Sequence, residues 1–151
     1  MNINQVSDKE ILDEFSHRFA SGTGNFITSS DNVLNHIRAK IVEKDKSCEQ
    51  VYLIYLNGRN EIISTELLFT GSLTTATVYP REIVKSILGH EAAAIVMVHN
   101  HPSGNEQPSK DDITITKKVK EACNVIDVVL HDHILITLDG SSYSLGDHGL
   151  L

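Results

Sequence analysis

The sequence predicts an α/β fold, a mixed β-sheet with helices packed against it. Short apolar or β-branched runs at 51–56 and 92–98 alternate with helical periodicity at 80–88 and after Ser109. Turn signals, Asn57-Gly58 and Asp139-Gly140, punctuate these runs. The length, 151 residues with 40% hydrophobic and 22% charged, suits one ordinary globular domain.

Taken in order, Ile11, Phe15 and Phe19 recur every four residues and predict a short amphipathic helix. Ser21-Gly22-Thr23-Gly24-Asn25 then reads as a flexible connector. Ser30 caps a helix carrying Val33, Leu34, Ile37 and Ile41 on one side. The 51–56 run is a strand, and Asn57-Gly58 turns it into a second strand at 61–68, with a third near 75–79. Pro80 sits at the first position of a helix to Leu88, with Ile83, Val84, Ile87 and Leu88 on its buried side and Gly89 ending it. The continuous apolar run 92–98 fits a strand covered on both faces, leading into a turn or loop at His99–Gly104. A helix from Ser109 to Cys123 follows, then strands at 125–130 and 133–138.

With no Trp and 5% aromatics, the core is expected to be Ile, Val, Leu and Ala. The net charge of −7, from 13 Lys+Arg against 20 Asp+Glu, argues against direct nucleic-acid binding, which draws on basic side chains to neutralise phosphates. Lys110, Lys117, Lys118 and Lys120 read as a solvated helix face. Cys48 and Cys123 lack CxxC spacing, so neither a disulfide framework nor a thiolate zinc site is expected. The start of the chain has no basic-then-apolar leader, and no run is long enough to span a bilayer. A cytoplasmic protein without membrane contact is expected.

Chemistry concentrates in His99-Asn-His-Pro-Ser-Gly-Asn-Glu-Gln-Pro-Ser-Lys-Asp-Asp112. In extended chain, side chains at i and i+2 point the same way, so His99 and His101 converge. A catalytic zinc needs three protein ligands and an open position for water. An Asp at the start of the following helix can supply the third, and Asp112 lies in its first turn, where the helix dipole favours a carboxylate. Pro102, Gly104 and Pro108 suit a tight, fixed loop between them. Ser109 and Asp112 also match a capping box, a structural role compatible with facing the site.

The H-x-H-x7-S-x2-D spacing resembles the JAMM signature of the JAB/MPN metalloprotease superfamily. The HNHPSG variant, together with Leu68-Phe-Thr-Gly-Ser-Leu73, Val78-Tyr-Pro-Arg-Glu82 and Asp132-His-Ile-Leu-Ile136, resembles its bacterial RadC-type branch. The likeness covers residues 27–151, leaving 1–26 as an N-terminal helical or flexible extension. It implies a mixed, curved sheet flanked by helices, an architecture related to cytidine deaminases. It implies zinc bound by His99, His101 and Asp112, with Asp111 a solvated first-turn acid. Short chains of this type are expected to lack the helical N-terminal domain of longer ones.

The resemblance also implies a Glu near the first strand as general base. Glu49, Glu61 and Glu66 are the candidates; Glu49, just before the 51–56 strand, is favoured and Glu66 is the runner-up. Ser109 is implied to hydrogen-bond the water or the oxyanion. His131-Asp132-His133 lacks a following S-x2-D, so packing or support beside the site is its expected role. His17, His36, His90 and His148 read as ordinary surface or helix residues.

The expected function is amide hydrolysis of a peptide or protein by a zinc metallopeptidase or isopeptidase. The alternative is a DNA-repair-associated or protein-binding module with a structural metal, since the RadC name carries that association. Asn100 stands where many ubiquitin-cleaving relatives have Ser or Thr, and 79–99 leaves no room for a long ubiquitin-gripping insertion, so a ubiquitin substrate is not inferred. A nucleobase deaminase requires H-x-E and P-C-x-x-C, and neither is present.

Overall fold

The structure is a computed structural model that describes residues 26–42, 47–71 and 79–151. The helix and connector expected in the first 25 residues lie outside them, as does the strand expected at 75–79 apart from Tyr79, which is not in a strand. The described elements are α1 (Ser30–Val42), β1 (Gln50–Leu56), β2 (Ile62–Thr70), α2 (Pro80–Gly89), β3 (Ala94–His101), α3 (Lys110–Val125), β4 (Val129–Thr137) and β5 (Ser142–Ser144). The strands form one mixed sheet of order β2-β1-β3-β4-β5, in which β3 and β4 are parallel and the other neighbours antiparallel.

β1 and β3 are buried along their whole length, as the apolar runs 51–56 and 94–98 require, and Gln50, His99, Asn100 and His101 are buried with them. Strand periodicity divides their side chains between two cores. Val51, Leu53, Tyr55, Ile95 and Met97 face Ile83 and Ile87 of α2 and Ile115, Val119 and Cys123 of α3. Tyr52, Ile54, Leu56, Val96 and Val98, with Ile134 and Ile136 of β4, face Val33, Leu34, Ile37 and Ile41 of α1. Each fully buried Ile or Leu contributes about 1.5–3 kcal/mol, and Tyr55 and Tyr52 add one buried aromatic ring to each layer of a core expected to be aliphatic alone.

Several boundaries differ from expectation. His99-Asn100-His101 is not loop but the end of β3, paired with β1 through Val51 and Gln50 and with β4 through Leu135, Ile136 and Thr137. The strands expected at 125–130 and 133–138 are one strand. Val125 is the last residue of α3, and Asp127, at φ 55°, makes the turn out of the helix. The polar centre of β4 does not break it, because Asp132 accepts hydrogen bonds from Ser144 Oγ, the Gly146 amide and the His133 amide. Leu88, expected inside, is 58% exposed, and only Ile83 and Ile87 of α2 are buried. The β1–β2 turn runs past Asn57-Gly58: Asn57 Oδ1 accepts from the amides of Arg59 and Glu61, and Asn60 takes the left-handed conformation at φ 60°. Among the described residues no helix is long and apolar enough to cross a membrane.

Candidate metal centre

The phase of β3 that buries Ile95 and Met97 against α2 and α3 carries His99 and His101 to the same face of the sheet. There α3 presents Ile115 and Val119, and one turn earlier Asp112, which is 1% exposed, whereas Asp111 is exposed. The start of α3 is fixed by a capping box. Asp112 N–H donates to Ser109 Oγ at 3.1 Å, and Ser109 N–H donates to Asp112 Oδ2 at 2.7 Å. Ser109 Oγ also donates to Oδ2 at 2.7 Å, so cap and carboxylate orientation are a single device.

Three side chains meet beyond that cap. His99 Nδ1 lies 3.1 Å from Asp112 Oδ1, and His101 Nε2 lies 3.5 Å from Asp112 Oδ2. The two imidazoles stand edge to face, 4.6 Å between centroids. One donor atom from each of His99, His101 and Asp112 falls within 4.8 Å of the others, a buried group able to hold a metal ion. Donor atoms about 2.1 Å from a tetrahedral zinc lie about 3.4 Å apart, near the 3.1 Å and 3.5 Å of the two His–Asp112 contacts, which use different carboxylate oxygens. The protonation pattern agrees. His101 Nδ1–H donates to the Asn105 carbonyl at 2.7 Å, leaving Nε2 to offer a lone pair. Both ring nitrogens of His99 are buried without a hydrogen-bond partner. Buried polar atoms are nearly always paired, and a cation at the shared point would satisfy one of these two nitrogens.

Burial alone raises the Asp112 carboxyl, but contacts with His101 and His99 and the hydrogen bonds from Ser109 outweigh it and hold the group well below the usual carboxylate range. The Asp112 contact is the main cause that raises His101, against the opposing effect of burial. Asp112 is therefore an anion over the working pH range.

Of the glutamates considered, the structure brings only Glu49 to this cluster, its Oε2 3.8 Å from His99 Nε2 and its side chain 33% exposed. Glu61 sits in the β1–β2 turn, accepting from Asn57 Nδ2. Glu66 is opposite Leu53 on β2 and is held by Tyr55 Oη, Ser86 Oγ and His90 Nε2. His90 is thus not an ordinary surface histidine: it stacks on Tyr55 at 4.0 Å and contacts Glu66. His36 is also anchored, its Nε2 2.8 Å from Thr65 Oγ1, and so is the exposed His148, whose Nδ1–H donates to the Ser144 carbonyl at 2.7 Å and whose ring stacks on Tyr143 at 3.9 Å; His17 lies outside the described residues.

His133, expected to pack or to support the site from beside it, stands next to His99. It is fully buried and lies 6.2 Å from the His99 ring, centroid to centroid. Thr116 Oγ1 donates to the Asp112 carbonyl and lies 2.7 Å from His133 Nδ1, so Nδ1–H is the donor to that hydroxyl. The repeated H-x-H spacing at 131–133 was the available signal.

Over residues 27–150 the sequence matches the profile of the RadC-like JAB domain. The chain belongs to that family. It is 38% identical over 129 residues to a UPF0758 protein of Dechloromonas aromatica, covering 85% of this chain and 56% of that protein. It is 37% identical over 129 residues to the UPF0758 protein YfjY of Escherichia coli, covering 85% and 79%. A UPF0758 protein of Paracidovorax citrulli is 44% identical over 106 residues, covering 70% and 44%. This RadC-like JAB chain therefore spans little more than half the length of several relatives it matches. The mixed sheet flanked by helices is the architecture anticipated for this family.

The buried imidazole makes the metal-free protein acid-sensitive. Burial, then the His99 charge, lowers His133 from 6.5 to about 3. The unfolded chain therefore binds a proton that the folded chain refuses, and stability is lost as pH falls from 6.5 toward 3. Asp112 loses stability in the same direction at lower pH, while His101, raised by Asp112, contributes below 6.5 and fades as pH rises. The urea midpoint of the metal-free protein is expected to drop between neutral pH and pH about 4, and His133→Asn to flatten that drop. A midpoint unchanged by acid, or an equal drop in both proteins, contradicts this account.

Proposed function

We propose that this chain is a zinc-dependent hydrolase of amide bonds, a metallopeptidase or isopeptidase acting on a peptide or protein. The observation that supports it most directly is the buried His99–His101–Asp112 group, whose three side chains converge beside the part-exposed Glu49 carboxylate. Two imidazoles and one carboxylate suit zinc and leave a coordination position open. Zinc bound there supplies Lewis-acid polarisation of a carbonyl and lowers the pKa of water.

The protein's own groups do the rest. Glu49 takes the proton of the attacking water and delivers it to the leaving nitrogen, a transfer favoured by its position at the open side of the cluster. Asp112, held ionised, keeps the imidazoles in register. The Ser109 hydroxyl is committed to Asp112 Oδ2, so in this reading its contribution runs through that carboxylate, and contact with the oxyanion requires it to turn. The net charge of −7 supports a protein substrate over nucleic acid.

A mixture of fluorescence-quenched peptides provides the test. Zinc-loaded protein is expected to cleave members of the mixture, to stop when stripped by a chelator, and to recover when zinc is returned. Zinc retained without cleavage of any peptide would favour the DNA-repair-associated or binding module with a structural metal.

A further inference from the structure

We propose that Asn100 is a positioning residue for Glu49, the group that sets where the general base stands relative to the metal ligands. The inference rests on the reading of Glu49 as proton carrier. Asn100 lies between His99 and His101 on β3 and is 2% exposed. Strand alternation turns its side chain away from the face that carries the imidazoles. Opposite it in the antiparallel register is Gln50, the first residue of β1.

Its carboxamide grips the chain on both sides of Glu49. Asn100 Oδ1 accepts from the Gln50 amide, and Asn100 Nδ2 donates to the Cys48 carbonyl at 3.1 Å. Cys48 and Gln50 are the immediate neighbours of Glu49, so one planar group fixes both peptide units that aim its side chain. The Glu49 carbonyl is held from the other side, accepting from the Gly71 amide at 2.8 Å. Glu49 precedes β1, and the Gly71 bond restrains it only on the β2 side. On the β3 side the Asn100 side chain supplies the restraint.

Side-chain chemistry explains why asparagine suits this position. The clamp needs one acceptor and one donor a fixed distance apart. A serine or threonine hydroxyl is too short to reach both groups, and aspartate turns an acceptor toward the Cys48 carbonyl. The residue that spaces the two imidazoles along β3 therefore also spaces the base from them. Ligand geometry and base position are coupled through one strand segment.

The test compares zinc-loaded wild type with Asn100→Ala, and with the isosteric Asn100→Asp in case the alanine variant does not fold. Crystal structures read the position of the Glu49 carboxylate, and chelator competition reads zinc affinity. The peptide mixture reads kcat and KM. Both variants are expected to keep zinc affinity within about threefold while the Glu49 carboxylate moves by about 1 Å or more, and kcat to fall about a hundredfold in Asn100→Ala, with KM little changed. Asn100→Asp, which keeps the bond to the Gln50 amide, should fall less. A Glu49 carboxylate unmoved in the folded variants overturns the inference, and so does a loss of zinc in parallel with activity, which makes Asn100 a support for the ligands instead. If the wild type cleaves nothing, the hydrolase reading falls, and displacement of Glu49 alone decides whether Asn100 positions it.

Discussion

His99→Ala and Asp112→Ala are each expected to bind zinc a few hundredfold more weakly than the wild type, with His131→Ala as an unaffected control. A structural zinc site with four ligands is worth about 10–16 kcal/mol, so one ligand carries about 2.5–4 kcal/mol. Asp112 has a second duty. Its carboxylate closes the capping box with Ser109, and removing it costs about 1 kcal/mol of helix capping besides. Asp112→Asn separates the two effects, because an amide oxygen still accepts from Ser109 N–H but carries no charge for the metal. Elemental analysis after gel filtration, with chelator competition for affinity, reads the outcome. Equal zinc in wild type, His99→Ala and Asp112→Ala would remove the metal centre altogether. His131 serves as the control because its ring is exposed, 2.8 Å from Asn60 Oδ1 rather than at the cluster.

Much of this centre was legible because strand and helix periodicities act over short distances. The i, i+2 spacing of His99 and His101 carries geometric content once β3 extends through them, and Ser109-x-x-Asp112 marks a helix start wherever it occurs. The end of β3 was misplaced because His-Asn-His-Pro looks like loop by composition. Its backbone is instead paired on both sides by β1 and β4, which only tertiary contact decides. The division of 125–138 into two strands failed for a similar reason. Asp132 is satisfied by Ser144 and Gly146, partners beyond the strand that no local pattern reveals. Family likeness supplied the requirement for a glutamate but did not choose between Glu49 and Glu66 by geometry. That choice depends on sheet order, which sets the end of β1 against β3 and leaves Glu66 among Tyr55, Ser86 and His90.

The arrangement also explains why cap, clamp and ligands coincide. An ionised, buried carboxylate costs folding energy unless it is hydrogen-bonded, and Asp112 meets that need with backbone and hydroxyl donors from Ser109. His99 is buried with no well-formed hydrogen bond at either ring nitrogen, and its nearest charge is the Asp112 carboxylate at 3.1 Å, surroundings that a cation would suit. Metal binding should stabilise the folded state by mass action, to a degree set by free metal concentration over Kd.

Glu49→Gln is expected to lower kcat for peptide cleavage about a hundred- to ten-thousandfold while zinc content stays at the wild-type level, the range that positioned general bases contribute. Gln is nearly isosteric and keeps the chain direction before β1, but its amide cannot take up a proton near neutral pH. The expected zinc retention follows from geometry: Glu49 stands 3.8 Å from His99 at the edge of the cluster and is not among the three convergent donors. Glu66→Gln distinguishes the candidates. Glu66 is occupied by Tyr55, Ser86 and His90, so its loss should lower the melting temperature and leave kcat within about twofold once the protein is folded. Should Glu66→Gln abolish cleavage while Glu49→Gln leaves it intact, the proton path runs elsewhere and Glu49 is only an exposed acid at a strand start. Should both variants cleave as the wild type does, water is activated without a carboxylate, and the placement of Glu49 beside His99 has no catalytic meaning.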